Sequence, residues 1–359
     1  MKIIVSAGGQ GTKVWPLSTK KRPKQFQKII GDHSLFTHNI NMLLERYSPA
    51  DIYISTKEMY EELVKEQAPA IPKENYILEP DSPRGRGPAE GYVFLKLSMV
   101  CPDEPFSILQ SDCLYLPENE YLDTLEVMES LVKKEKKLVS GGLATKYPIL
   151  GVDYLLLGEV VEKRDKIKVH KVKEFLGRRS NFAETENMIK RRKVVIHANL
   201  NTWYPDLMLK AYEKYKPDWY EGLMKIKQIW EGGGDRAKVE EIFAGLEKGS
   251  TEEVTQHVFA EGYLVTFPFR WVDIGTWDSI YQHLSSGEEV YAEGNVVALD
   301  SSGSFVKSTQ PEKLIAVLGL NGMVVVDTED VLFIAPRDRV GDLQAVQKEI
   351  EEKGLGEFL

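Results

Sequence analysis

The hydrophobic positions of the chain fall into two regimes. Up to about residue 285, short apolar runs alternate with longer segments whose apolar residues recur at helical spacing. Lys2–Ser6 is an apolar run that stops at Ala7-Gly8-Gly9-Gln10-Gly11, the pattern of a buried strand entering a tight loop. Helical spacing over His38–Tyr47, Met59–Gln67 and Gly91–Val100 alternates with strand-like runs at Asp51–Ser55, near Tyr76–Leu78 and at Pro105–Leu109, the last ending at Ser111-Asp112. Such alternation predicts an α/β fold, a mostly parallel sheet with helices on both faces. Ligands of such sheets bind beyond the carboxyl ends of the strands, so the glycine loop and Asp112 are expected at one crevice.

Leu122–Lys137 and Pro205–Lys248 read as helical and charged, and Tyr263–Trp271 returns to extended structure. After Ser285 the character changes. Asn295–Asp300, Ser304–Lys307, Leu314–Leu318, Met323–Asp327 and Val331–Ala335 are short β-rich runs separated by Gly, Asn, Ser and Asp. They predict a small all-β domain, closed by a helix at Asp342–Lys353. The expected division is a Rossmann-like domain over 1–288 and a β domain over 289–359, with the boundary within 286–293.

Composition narrows the function. A length of 359 residues with 42% apolar residues suffices for a large core and two domains. The net charge of −9 argues against nucleic-acid binding, which needs a basic excess, so phosphate recognition must be local. Cys101 and Cys113 form no CxxC pair, and the six histidines form no HExxH pattern, so a zinc site or disulfide framework is not expected. The absence of a basic, cleavable leader and of an apolar run near the ~18 residues of a membrane span predicts a cytoplasmic protein without membrane contact.

Gly8-Gly9-Gln10-Gly11-Thr12-Lys13 carries the strongest chemical signal. It lacks the Gly-Lys-Ser/Thr of a Walker loop and the third glycine of a dinucleotide fingerprint. Glycines let backbone N–H groups approach phosphate oxygens, although in isolation a tight turn explains the run equally well. The residues after the glycines decide between the two: Gly11-Thr12-Lys13-Val14-Trp15-Pro16-Leu17-Ser18 and Arg22-Pro23-Lys24-Gln25-Phe26. This stretch resembles the GGxGTRLWPLS…PKQF signature of sugar-nucleotide pyrophosphorylases, in the form found in mannose-1-phosphate guanylyltransferases. The resemblance implies that Ala7, Gly8, Gly9, Gly11, Thr12 and Lys13 wrap a nucleoside triphosphate. It also implies that Lys24 neutralises phosphate charge in the transition state, with Lys13 beside it. Lys13 replaces the usual arginine and so loses the planar fork.

Leu109-Gln110-Ser111-Asp112-Cys113 and Trp271-Val272-Asp273-Ile274-Gly275-Thr276-Trp277 resemble the two metal segments of that family. Asp112 and Asp273 are thereby expected to hold Mg²⁺, a hard cation suited to carboxylates. Glu79-Pro80, Arg84 and Pro88-Ala89 look like a displaced EPxxRNTAPA segment, which implies Glu79 and Arg84 near the base. The β domain resembles the family's left-handed β-helix-like unit, which implies a homodimer.

The sugar half departs from the pattern. Pro148–Tyr154, containing Gly151, keeps only the ends of P-E-T-G-Y-G-Y, and Phe175-Leu176-Gly177-Arg178-Arg179 stands where F-x-E-K-P is usual. Ile196–Asn201 replaces W-N-S-G-x-F, and Val254–His257 replaces S-I-D-Y. Each lost hydrogen bond to a charged group costs about 1.5–3 kcal/mol, roughly 10- to 100-fold in rate. Arg178, Asn199 and Gly151 are the candidate replacements for sugar-phosphate binding, and His197 is a further one for which a packing or hydrogen-bonding role is the favoured reading. The reading is a magnesium-dependent enzyme that uses GTP and mannose 1-phosphate. Its alternatives are another nucleotide or sugar 1-phosphate, or a non-catalytic sugar-nucleotide-binding paralogue.

Overall fold

The structure is a computed structural model that describes residues 1–9, 11–285, 287 and 289–359. Gln10 of the glycine loop and the expected boundary residue Glu288 lie outside the described residues. The first strands are β1 (Lys2–Ser6), β2 (Ile52–Lys57), β3 (Tyr76–Glu79), β4 (Phe106–Gln110) and β5 (Cys113–Leu116). Then come β6 (Val139–Ala144), β7 (Asp153–Arg164), β8 (Ile167–Arg178), β9 (Val194–Trp203), β10 (Tyr263–Thr266) and β11 (Arg270–Asp273).

Nine of these strands form one sheet in the order β3-β2-β1-β4-β9-β6-β10-β8-β7. The N-terminal half is parallel, β1 lying between β2 and β4. Ile3, Ile4 and Val5 are all buried, as expected where both faces of a parallel strand are covered. The chain goes outward from β1 to β2 and β3, then jumps back to β4 on the other side of β1. That reversal is the topological switch point at which open α/β sheets bind ligands. The other half is largely antiparallel, because β7 and β8 form a long hairpin and the first residues of β7 also pair with β9. The bulges that interrupt the hairpin mask its alternation in the sequence.

Three helices, Pro205–Tyr215, Pro217–Glu231 and Arg236–Ala244, fill the charged segment before β10. The helix Arg86–Val100 begins earlier than its apolar spacing suggests, taking in Gly87, with Gly85 at φ 82 as its N-cap. No helix among the described residues is long and apolar enough to cross a membrane.

The C-terminal strands are β12 (Tyr291–Glu293), β13 (Asn295–Leu299), β14 (Phe305–Ser308), β15 (Leu314–Leu318), β16 (Met323–Asp327) and β17 (Leu332–Pro336). β12, β14 and β16 stack in parallel, and β13 stacks on β15. Successive coils thus lie one above another, a β-helix-like arrangement, and the helix Leu343–Glu352 comes after them.

The hydrophobic clusters do not follow the chain's division. One fills the large sheet. The second joins Val14, Trp15, Leu17 and Ile29 of the signature segment to Ile274 and Trp277, and to Phe305, Val324 and Phe333 of the β coils. Trp277 is fully buried at its centre, its Nε1 donating to Trp15 O at 3.0 Å and its ring tilted against Phe305. Trp277→Ala removes both the packing and the hydrogen bond. It is expected to cost about 3–5 kcal/mol, measured as a lower midpoint in chemical denaturation.

Candidate active site

The site is assembled where β1 and β4 end. Ser111 Oγ donates to Ser6 O at 2.6 Å, clasping the two strand ends together. The turn carrying Asp112 is held from behind by the fully buried Asn39, whose Nδ2 donates to Ser111 O at 3.3 Å and Cys113 O at 3.0 Å. β5 pairs with β11 in antiparallel register, Cys113 opposite Asp273. That register brings together two carboxylates far apart in the sequence.

Lys24 lies between them. Its ammonium is 2.8 Å from Asp112 Oδ2 and 3.9 Å from Asp273 Oδ1, and it donates to Ile274 O at 3.3 Å. Only 7% of the residue is exposed. Burial alone would lower its pKa, but the Asp112 charge and hydrogen bond, with Asp273 behind them, hold it above the ordinary 10.5. Asp273 is pushed up chiefly by desolvation; Lys24 opposes the shift and the Asp112 charge adds to it. A further cation beside these two carboxylates relieves that repulsion, and their oxygens are the donors a hard divalent cation prefers. Among the described residues no group of three or more His, Cys, Asp or Glu is placed to hold a metal. A cation held by Asp112 and Asp273 therefore needs further oxygens from phosphate or water.

The glycine turn closes over this centre. Gln25 pins it from below, Nε2 donating to Ala7 O at 2.9 Å and Gly9 O at 2.8 Å. Gly11 adopts φ 57, and a Cβ there would lie 2.7 Å from both Cγ and N of Lys24. Gly275 serves the far side, since its Cβ would lie 2.8 Å from Asp273 Oδ1.

Two adjoining cavities open here. One, of ≈ 340 Å³, is lined by Gly9, Gly11, Thr12, Lys13, Lys24, Asp112 and Asp273. The other, of ≈ 490 Å³, is lined by Gly8, Gly9, Glu79, Arg84 and Asp112 among others. They share Gly9, Gln25, Gln110 and Asp112, so they form one cleft. Ala7 is buried beneath it, its N–H donating to Ser55 O at 2.7 Å.

The wall bearing Glu79 and Arg84 is braced from the helix Arg236–Ala244. Arg236 donates to the carbonyls of Leu78 and Glu79 at 2.8 and 2.7 Å, and Glu240 accepts from the N–H groups of Asp81 and Ser82, each at 2.9 Å. Glu79 accepts from Ser55 Oγ, and burial pushes its carboxyl up against the opposing effects of Ser55 and Lys57. Arg84 Nε is buried with no hydrogen-bond partner among the described residues, a donor left free in the cleft wall.

The candidate sugar residues are dispersed. Asn199, at φ 54 in β9, lines a small pocket with Gln110 and Trp271 next to the cleft. Arg178 is exposed and paired with Asp153 at 3.4 Å, and Gly151 sits in the turn before β7, donating to Arg179 O at 2.8 Å. Neither lines the cleft. His197 is fully buried, 3.3 Å from Asn201 Oδ1, and desolvation holds its imidazole below 6.5. It is structural.

Gln25, Asn39, Gln110 and Gly275 are site residues that sequence reasoning does not single out. Asn39 has a legible signal, a polar residue inside the apolar spacing of its helix; Gln110 has none.

Residues 2–147 match the nucleotidyl transferase family, and residues 294–350 match the MannoseP isomerase/GMP-like β-helix domain. The chain is 26% identical to a mannose-1-phosphate guanylyltransferase of Escherichia coli K12 over 365 residues, 99% of this chain and 74% of the relative. It is 25% identical to the alginate biosynthesis protein AlgA of Pseudomonas aeruginosa over 364 residues, 99% and 73% of the two chains. A crystal structure described as mannose-1-phosphate geranyltransferase of Thermus thermophilus shares the fold at TM-score 0.82 and 24% identity, covering 98% of this chain and 99% of that one.

Gly11→Ala forces a left-handed residue and a Cβ into Lys24. It is expected to cost at least about 1–2 kcal/mol from backbone strain alone, read as a fall in the thermal midpoint.

Proposed function

We propose, from the match of residues 2–147 to the nucleotidyl transferase family and of residues 294–350 to the MannoseP isomerase/GMP-like β-helix domain, that the chain transfers GMP from GTP to mannose 1-phosphate, giving GDP-mannose and pyrophosphate. The observation that carries the reading is the buried Lys24 ammonium held between Asp112 and Asp273 at the mouth of the glycine turn. Nucleotidyl transfer depends on positioning and charge stabilisation more than on covalent catalysis. A phosphate oxygen of the sugar phosphate forms a bond to the α-phosphorus, and the bond from that phosphorus to the bridging oxygen of pyrophosphate breaks. Lys24 exchanges Asp112 for phosphate oxygens and offsets charge on the transferring group. The Ala7–Lys13 turn and Lys13 orient the triphosphate.

Asp112 and Asp273 suit Mg²⁺, which when bound supplies further stabilisation of phosphate charge. Guanine is favoured by Glu79: a carboxylate can accept from N1–H and N2–H of guanine together, a donor pair that adenine and the pyrimidines do not present on one edge. Arg84, with its unpaired donor, stands in the same wall. Asn199 and Gln110 line the small pocket next to the cleft and are the groups we assign to the acceptor, whereas the engagement of Arg178 with Asp153 favours a second reading, a sugar 1-phosphate other than mannose 1-phosphate. The free thiols Cys101 and Cys113 suit a reducing cytoplasm.

Pyrophosphate release, measured with Mg²⁺ and each nucleoside triphosphate against a set of sugar 1-phosphates, tests the proposal. The expected result is turnover with GTP and mannose 1-phosphate, lowered at least about 100-fold by Lys24→Met. Turnover with only another pair would replace the substrate assignment.

We further propose a homodimer. Val297, Leu299, Leu314, Leu318, Leu332 and Ile334 of the β coils are each more than half exposed, an apolar surface that a second copy would cover. Sedimentation is expected to give twice the 40.8 kDa chain mass, and Leu314→Glu with Leu318→Glu to give a monomer.

A further inference from the structure

The helix Leu343–Glu352 and the tail after it end against Thr12–Lys20, the segment that joins the glycine turn to Lys24. Gln347 Nε2 donates to Thr12 O at 3.0 Å. Trp15 Nε1 donates to Phe358 O at 2.6 Å, and the Lys20 N–H reaches Leu359 O at 3.5 Å. Trp15 is buried and set edge-on to Phe333, and its carbonyl accepts from Trp277. Trp277 begins the helix directly after Ile274-Gly275-Thr276, and Ile274 O accepts from Lys24. An unbroken series of contacts therefore runs from the C-terminal tail to the ammonium at the centre of the cleft.

The turn it meets cannot hold itself. Thr12–Val14 is a single 3₁₀ turn whose closing bond, Trp15 N–H to Thr12 O, is 3.4 Å long. One turn with one weak bond does not repay the entropy of ordering its residues. Gln25 secures the turn's start at Ala7 and Gly9, and Gln347 secures its end. Lys13 lies between the fastenings at Thr12 and Trp15 and lines the same cavity as Lys24 and Asp273.

We infer that Gln347 and the Phe358 carbonyl are positioning groups of the active site: they fix the Thr12–Trp15 turn and so place Lys13 toward the phosphates of the nucleotide. This rests on the cleft being a nucleoside-triphosphate site. The exposed pair of Lys20 and Glu351, at 2.8 Å, adds little, since solvent screens it.

The test uses the chain of 359 residues with Mg²⁺ and measures GTP and GMP binding by calorimetry alongside the thermal midpoint. Three changes are compared: Gln347→Glu, which keeps the shape and loses the donor; removal of Phe358 and Leu359; and Gln344→Ala, which lines the same small cavity behind the turn but makes no bond to it. The first two are expected to weaken GTP binding about tenfold, equivalent to roughly 1.4 kcal/mol, and to leave GMP binding almost unchanged, and Gln347→Glu is expected to leave the midpoint almost unchanged as well. Gln344→Ala is expected to behave as the parent, and Gln347→Lys, which restores a donor, to recover GTP affinity. Unchanged GTP affinity in both altered proteins would overturn the inference. So would parallel loss of GTP and GMP binding with a lowered midpoint, which is what a merely structural role produces. If the parent protein binds neither nucleotide, the reading of the cleft fails first and this inference with it.

Discussion

The architecture of the cleft depends on burying one ammonium. A lysine that is 7% exposed must be paired or lose its charge, and each neighbouring element is arranged to supply that pairing. β4 and β5 flank the turn that presents Asp112, β11 presents Asp273 in register with β5, and the chain beyond offers the Ile274 carbonyl. Gly11 and Gly275 exist as glycines because a Cβ at either position would collide with one of the charged partners. The ion pair is a poor source of net stability, because desolvation of both charges offsets their attraction. Under the proposed function its use is chemical: it keeps a cation charged and aimed at the place where phosphate would come.

The same centre explains the association of the two parts of the chain. The signature segment after Lys13 is apolar, and its Val14, Trp15 and Leu17 are buried jointly with Trp277 and the β coils. The C-terminal strands are thus part of the support for the glycine turn.

How much of the fold is legible in the sequence depends on how local each signal is. The parallel strands of the N-terminal half are legible because buried strands bounded by glycine are short-range patterns, and the coil strands because their turns are marked by Gly, Asn and Asp. The convergence of Gly9, Lys24 and Asp112 is the expected result of strand ends meeting at a switch point. The β7–β8 hairpin escapes detection because its bulges break the two-residue alternation. Gln25 acts by donating to backbone carbonyls across the fold, contacts that leave no periodicity. Resemblance of a short segment assigns Arg178 to the sugar phosphate, whereas the fold leaves it beside Asp153, outside the cleft. Position in a motif does not determine where a flexible, exposed side chain finds its partner.

The role of the buried Lys24 is tested most directly by a crystal structure with GTP and Mg²⁺ bound. The triphosphate is expected between the Gly8–Lys13 turn and Lys24, with the 2.8 Å contact from Lys24 to Asp112 exchanged for contacts to phosphate oxygens. A triphosphate bound elsewhere, with that ion pair intact, would contradict the role assigned to Lys24.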